Sequence, residues 1–216
     1  MIGLAVEVDS EAVVVRAEQP LRAVSSAIVG GGVAEIRSIV NLHVPRGFDC
    51  DQSERLLDDF VKRRSLPRPF VGLLTGALTE HAEQATERQE GLTVWTAVTL
   101  GLGNRSTAGR SPVAVWRPST INTIVIVDGR PDDAALVNLV ITATEVKALA
   151  LAEGGVRSPD GELVTGTSTD AVVVAATGRG SRCRFGGPVS EVGWLVARTV
   201  RSAMDAGVAR WTREPR

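Results

Sequence analysis

The sequence predicts an α/β (α+β) fold, a layered single domain over residues 1–216 in which helices pack on a mixed, largely antiparallel sheet. Strand-like runs fill the first forty residues, and helical patterns appear only later, between further strand-like runs. No linker-like stretch interrupts this order, and 216 residues with 44% hydrophobic side chains are enough to build a core. One domain is therefore expected.

The N-terminal strands are expected to pair antiparallel. Residues 2–8 and 11–17 flank Asp9-Ser10, and residues 21–29 and 33–42 flank three consecutive glycines. Short polar or glycine-rich turns between apolar runs are typical of hairpins. Residues 51–64 then form an amphipathic helix, with acidic side chains early and basic ones late, as the helix dipole favours.

The second half alternates strands and helices around one long loop. Apolar, β-branched runs predict strands, and the helix that follows Pro131 ends before Gly154-Gly155. The predicted strands are 70–74, 92–100, 121–127 and 171–176; the predicted helices are 132–152 and 188–206; residues 101–118 form the loop.

Composition excludes several function classes. With 24 basic and 25 acidic side chains the formal charge is −1, so we expect no nucleic-acid partner. His43 and His81 are the only histidines and Cys50 and Cys183 lie far apart, so a His-rich metal centre and a zinc knot are excluded and only carboxylate-dominated metal sites stay possible. No apolar run approaches the roughly 20 residues of a membrane span and no signal peptide is recognisable, which predicts a cytoplasmic protein. The oligomeric state stays open, a homo-oligomer included.

The segment TGTSTD, residues 165–170, concentrates polar groups at the entry to a strand. Thr165, Thr167 and Thr169 supply hydroxyls, and Asp170 supplies a carboxylate able to orient or deprotonate one of them. The alternative is an ordinary turn whose Ser and Thr side chains bond their own backbone.

A polar stripe runs along the helix 132–152. Asn138, Thr142 and Glu145 follow one another at steps of four and three residues, which places them on one face. A carboxyl group in an apolar wall suits general acid or base chemistry. The alternative is that this stripe faces solvent.

Further polar residues lie at strand ends or in turns. Asn104 follows glycines in LGLGNRSTAGR and is a candidate to hold an oxyanion or a carbonyl, or else a turn residue. No phosphate-binding loop and no G-x-S-x-G elbow is present. The remaining candidate substrate-binding residues are Ser26, Asn41, Thr75 and Asn122.

Taken in order, these segments resemble the adenosylcobinamide amidohydrolase family. The resemblance spans roughly residues 20 to 200, and TATEVKA and TGTSTDAVVVA are its most specific parts. It rests on SSAIVGGG (25–32), NLHVP (41–45), VGLLTGAL (71–78), TLGLGN (99–104), STINTIV (119–125), TATEVKALAL (142–151) and TGTSTDAVVVA (165–175).

The resemblance implies a corrinoid-salvage enzyme. Water would cleave the amide between the aminopropanol arm and the corrin side chain of adenosylcobinamide, giving adenosylcobyric acid and aminopropanol. Because the substrate carries its own cobalt, no further cofactor is expected. Trp95 and Trp116 are candidates for the walls of a corrinoid pocket, or for the core.

Amide hydrolysis needs an activated nucleophile, an oxyanion stabiliser and a proton for the amine. We therefore expect Glu145 or Asp170 to act as general base for water or a Thr hydroxyl. Thr167, Thr169 and Asn104 would then hold the oxyanion or the amide.

Two other functions are also compatible with the sequence. The first is a corrinoid or small-molecule binding protein without catalysis. The second is an acyltransferase with Thr167 or Thr169 as hydroxyl nucleophile.

Overall fold

The computed structural model describes residues 1, 3–45, 47–113 and 119–213, so Trp116 and the end of the expected long loop lie outside the described residues. Within these residues the chain forms eight strands of one sheet and three α-helices. The strands are β1 (Leu4–Val8), β2 (Ala12–Ser25), β3 (Gly32–His43), β4 (Phe70–Thr75), β5 (Glu83–Gln89), β6 (Leu92–Leu100), β7 (Ile121–Asp128) and β8 (Ala171–Ala176). The helices are α1 (Ser53–Arg63), α2 (Asp133–Glu153) and α3 (Glu191–Arg213).

The sheet is mixed and largely antiparallel, as the sequence predicts. Its strand order is β4-β3-β2-β8-β7-β6-β5, and β1 pairs with β2. The pairs β3/β4 and β7/β8 are parallel, and the other neighbouring pairs are antiparallel. The layered α/β fold class is thereby confirmed.

The sheet folds back on itself around an inner core. Ile39 of β3 and Leu73 of β4 share one apolar cluster with Ile124 of β7, although β2 and β8 separate these strands within the sheet. Asn41 of β3 likewise donates a hydrogen bond of 2.9 Å to Thr99 of β6. The two halves of the sheet therefore face each other, and helices cover the outer face of each half.

The helices form because each has an apolar face to bury. On α1, Leu57, Phe60 and Val61 pack against β2 and β3, while α2 and α3 pack on each other and on the other half of the sheet. In the described part of the chain, α2 is the one helix whose length and apolar composition would allow it to cross a membrane. A helix buried in the core of a protein can have the same length and composition. The buried residues of α2 lie against α3 and the sheet, as in a core helix.

Element boundaries differ from the sequence-based prediction at three places. The predicted strands 11–17 and 21–29 are one strand, β2, with an irregularity between Arg16 and Leu21 that lets it continue. The last helix begins later and ends later than residues 188–206. Strand β5, EQATERQ, was missed because it is an edge strand with few apolar side chains.

The contact between β4 and α1 yields a stability test. A Cβ at Gly72 would lie 2.7 Å from a methyl group of Leu57, which is fully buried. We expect Gly72→Ala to lower the free energy of unfolding by about 1–3 kcal/mol through overpacking. Urea denaturation measures this loss.

A double-mutant cycle supplies the control for this prediction. Because Leu57→Ala removes the clashing methyl groups, the double variant Gly72→Ala/Leu57→Ala should lose less stability than the sum of the single losses. Strict additivity would show that the two sites do not compete for space.

Candidate active site

Parallel pairing of β7 and β8 brings two polar segments together. Ala171 of β8 lies beside Asn122 of β7, so both strands begin at the same edge of the sheet. Residues 119–120 precede β7, and TGTSTD precedes β8. The hydroxyls, amide and carboxylate of these segments therefore meet at one place.

The Asp170 carboxylate is the electrostatic centre of this place. Its Oδ1 accepts hydrogen bonds from the Ile121 N–H, at 3.0 Å, and from the Thr167 hydroxyl. Its Oδ2 accepts from the Thr167 N–H, at 3.1 Å, and from the Lys147 ammonium group. A carboxylate has about four acceptor positions, so these four donors fill them.

The ion pair between Lys147 and Asp170 is buried. The two side chains are 10% and 11% exposed, and Lys147 reaches the turn from α2. Gly166 permits this approach, because a Cβ there would collide with both charged groups. The glycine of TGTSTD is thus required by packing rather than by backbone conformation.

A cavity of about 290 Å³ opens beside Asp170. Its polar wall contains hydroxyls, one amide and the carboxylate, and the rest of its wall is mainly apolar. The polar residues are Ser26, Thr120, Asn122, Thr169 and Asp170; the others are Ile28, Val44, Phe48, Cys50, Leu73, Leu74 and Ala171. An apolar pocket with a few convergent polar groups is typical of a small-molecule site.

Hydrogen bonds fix the amide side of this cavity. Asn122 donates through Nδ2 to Asn41 Oδ1 at 2.7 Å and to the Leu74 carbonyl at 2.9 Å. Its Oδ1 is therefore turned towards Thr120 Oγ1, 3.2 Å away. Thr120, only 2% exposed, also donates to the Thr169 carbonyl at 2.7 Å. These groups are held in place before any ligand arrives.

The structure brings several of the predicted residues together. Asp170, Thr169, Asn122 and Ser26 line the cavity, and Thr167 bonds to Asp170. Ser26 Oγ accepts from the Val172 N–H at 3.0 Å, which leaves its hydroxyl proton free to donate. Asn41 is buried, and its hydrogen bond with Asn122 holds the Asn122 side chain in place.

Other predicted residues stabilise turns and lie outside the cavity wall. Thr75 accepts from the Ala77 N–H at 3.0 Å, and Thr165 accepts from the Ala108 N–H at 2.9 Å. Asn104 donates to the Ser168 hydroxyl at 2.6 Å and so ties the loop after β6 to TGTSTD. The structure thus assigns these three side chains contacts that position loops.

The placement expected for Glu145 is wrong. Glu145 is exposed on α2, whereas Lys147, about 200° further around the helix, reaches Asp170. Asn138 is also exposed, and Thr142 is buried with its hydroxyl donating to the Gly186 carbonyl at 2.9 Å. The three residues do not form one wall of a cleft, because the face of α2 that carries them lies at the boundary between solvent and core. Asn138 and Glu145 are on the solvent side of this boundary, and Thr142 is on the core side.

Sequence reasoning missed Lys147. Two signals pointed to it: Lys62 is the only other lysine in the chain, and Lys147 lies at helical spacing between Ala143 and Ala150, both buried. A lysine on the apolar face of a helix needs an anionic partner. Trp95, for its part, packs in the inner core instead of a ligand pocket.

Cys50 also lines the cavity, but its thiol is a poor nucleophile. Burial raises the pKa of this thiol, and the negative charges of Asp49 and Asp51 raise it further. The reactive thiolate is therefore scarce near neutral pH. Within the described residues, no three His, Cys, Asp or Glu side chains are grouped to hold a metal ion.

Comparison with known protein families identifies the family of this chain. The family model for adenosylcobinamide amidohydrolase matches residues 3–216. The chain belongs to the adenosylcobinamide amidohydrolase family. This membership makes it an amide hydrolase.

Two relatives carry the same name. The adenosylcobinamide amidohydrolase of Methanosarcina mazei is 32% identical over 173 residues, which cover 78% of this chain and 74% of the relative. That of Halobacterium salinarum is 35% identical over 192 residues, covering 82% of this chain and 76% of the relative.

Solved structures share the fold at low sequence identity. The PH0078 protein of Pyrococcus horikoshii OT3 superposes with a TM-score of 0.51 at 14% identity, covering 95% of this chain and 82% of that one. The β-aminopeptidase of a Burkholderia species also has a TM-score of 0.51, at 12% identity over 93% and 79% of the two chains.

The two lysines allow a matched test of the buried ion pair. Lys147→Met leaves the Asp170 charge buried without its partner, and we expect a loss of about 3–5 kcal/mol in the free energy of unfolding. Lys62→Met breaks an exposed pair with Asp58 on α1, which water screens, and should change the free energy of unfolding far less. Urea denaturation of both variants checks this, and equal losses would contradict the assignment.

Proposed function

We propose that this protein hydrolyses the aminopropanol amide of adenosylcobinamide, releasing adenosylcobyric acid and aminopropanol, and that it does so in the cytoplasm as a step of corrinoid salvage. Family membership and the names of the two relatives support this substrate. The observation that carries the proposal for this chain is a buried carboxylate, Asp170, at the wall of a cavity otherwise lined by apolar and neutral polar groups.

The size and polarity of the cavity suit a small polar amine. Aminopropanol offers one hydroxyl and one amide nitrogen, and the cavity wall offers hydroxyls and the Asn122 amide. The apolar remainder of the wall fits its short carbon chain. The scissile amide then lies within reach of the edge where β7 and β8 begin.

Asp170 serves as the proton acceptor for the attacking water. Three of its four donors are fixed, namely two backbone N–H groups and the paired Lys147 ammonium. The fourth is the Thr167 hydroxyl, which can rotate and free Oδ1 for a water molecule. Asp170 takes a proton from the water as its oxygen attacks the carbonyl, and returns a proton to the amine as the C–N bond breaks.

The neighbouring groups have distinct roles in this reaction. The hydroxyls of Thr169 and Ser26 line the cavity and can donate to the oxyanion of the tetrahedral intermediate, whereas Thr120 already donates its single hydroxyl proton to the Thr169 carbonyl. Lys147 is a positioning residue, because it touches Asp170 and not the cavity. Its ammonium group holds the Asp170 carboxylate in position through their hydrogen bond.

Asp170 and Glu145 provide a matched pair of carboxylates for the test. Asp170→Asn keeps the shape but removes the base, and we expect kcat to fall by about 10²–10⁴-fold. Glu145→Gln, on the exposed face of α2, should keep wild-type turnover. Mass spectrometry of adenosylcobyric acid and free aminopropanol after incubation with adenosylcobinamide measures both.

Folding has to be checked alongside turnover, because Asp170→Asn disturbs a buried pair. Thr169→Val, judged by circular dichroism to be folded, is a second variant that keeps the pair and should also lose turnover. A folded Asp170→Asn variant with wild-type kcat would refute the role of the base. A wild-type protein that binds adenosylcobinamide without releasing product would instead support the binding-protein alternative.

The cobalt of the reaction belongs to the substrate, and we propose that no further metal takes part. Dialysis of the purified protein against a chelator, followed by assay in chelated buffer, should then leave kcat unchanged. Activity that is lost on dialysis and restored by one divalent metal would contradict this.

A further inference from the structure

A second and larger cavity lies at the same end of the sheet. Its volume is about 560 Å³, nearly twice that of the cavity beside Asp170. It is built from the loop after β4, the turn after β6 and the C-terminal half of α3. Its wall includes Gly76, Leu78, Gly103, Arg105, Ser119 and Trp211.

The two cavities are separated by one thin wall. Ser119 lines the larger cavity and Thr120, the next residue, lines the smaller one. The end of β4 divides in the same way, since Leu74 in the strand lines the smaller cavity and Gly76, just after it, lines the larger. A molecule that occupies both cavities must therefore cross at residues 119–120.

Hydrogen bonds hold this wall in place. The Gly103 N–H donates to Ser119 Oγ at 2.6 Å, and the Gly101 N–H donates to the Thr120 carbonyl at 3.0 Å. The next residue, Ile121, donates its N–H to Asp170. The wall is thus tied to the turn after β6 on one side and to the carboxylate on the other.

The chemistry of the larger cavity differs from that of the smaller one. Polar and apolar groups share its wall about equally, and Leu78 at its edge is 48% exposed. Trp211 adds an aromatic ring with the Arg105 guanidinium 5.4 Å from its centroid. Arg105 donates through Nε to the Arg157 carbonyl and through Nη1 to the Leu102 carbonyl, which leaves its remaining N–H groups to donate to the carbonyl acceptors of neutral amides. A large apolar ring fringed with amides fits this wall.

We propose that the larger cavity binds the edge of the corrin macrocycle, so that the side chain bearing aminopropanol crosses the wall at residues 119–120 into the smaller cavity. This assignment rests on the proposed function and adds the position of the substrate. The macrocycle is too large for the 290 Å³ cavity, whereas aminopropanol is small enough for it. Crossing at this wall brings the amide carbonyl beside Thr120 and Asp170.

Binding of the product adenosylcobyric acid tests the assignment without any hydrolysis, because this corrinoid lacks the scissile amide. The dissociation constant is measured by equilibrium dialysis with corrinoid absorbance as the readout. We expect Trp211→Ala to raise it at least tenfold. Trp194→Ala, at a half-exposed position elsewhere on α3, is the matched control and should leave it unchanged.

A second variant is needed as a control, because Trp211 packs against the core formed by α2, α3 and the sheet and Trp211→Ala can therefore disturb folding. Leu78→Asp changes an exposed side chain at the edge of the cavity and should also raise the dissociation constant about tenfold. In assays with adenosylcobinamide, both variants should raise KM and leave kcat within about twofold of wild type.

The outcomes separate this assignment from the proposed function. Wild-type affinity for adenosylcobyric acid in folded Trp211→Ala and Leu78→Asp overturns the assignment while hydrolysis stands. A wild-type protein that neither binds the corrinoid nor hydrolyses adenosylcobinamide overturns both. Weaker binding in these two variants, with normal binding in Trp194→Ala, supports the division into two cavities.

Discussion

The buried Asp170 carboxylate is the interaction on which the rest of the site depends. Its four donors come from three parts of the chain: α2, the first residue of β7 and the turn before β8. Burying a carboxylate is costly unless it is paired and hydrogen-bonded. Each donor therefore stabilises both the charge and the arrangement of the three segments, so the geometry of the proposed active site and local stability depend on the same contacts.

In the proposed mechanism this arrangement divides the work of amide cleavage between rigid and movable groups. The backbone N–H groups and Lys147 stay in place, while hydroxyl groups such as those of Thr167 and Ser26 can rotate. A preorganised site loses little free energy to reorganisation during the reaction. The wall at residues 119–120 extends the same rigidity to the larger cavity, because Ile121 binds Asp170 directly.

Much of the fold was predictable because hydrophobic periodicity reports local structure. The strand 92–100, the strand 171–176 and the helix from Asp133 appear close to where their patterns place them. Strand β5 was not predictable in this way, since an edge strand rich in charged residues lacks the apolar alternation. In the site, Asp170 and its threonines are recognisable from TGTSTD. Lys147 lies within a helical pattern and belongs to no such polar motif.

The sequence by itself determined the fold class, the main strands and helices, and the family, because these follow from periodicity and from short motifs. Only the tertiary structure decided which polar residues meet. Parallel pairing of β7 with β8 brought Asn122 and Asp170 to the same cavity. The orientation of α2 about its axis placed Lys147 inside and Glu145 outside. A difference of two residues along a helix reverses the side that a residue faces, and packing against the sheet chose which side became the interior.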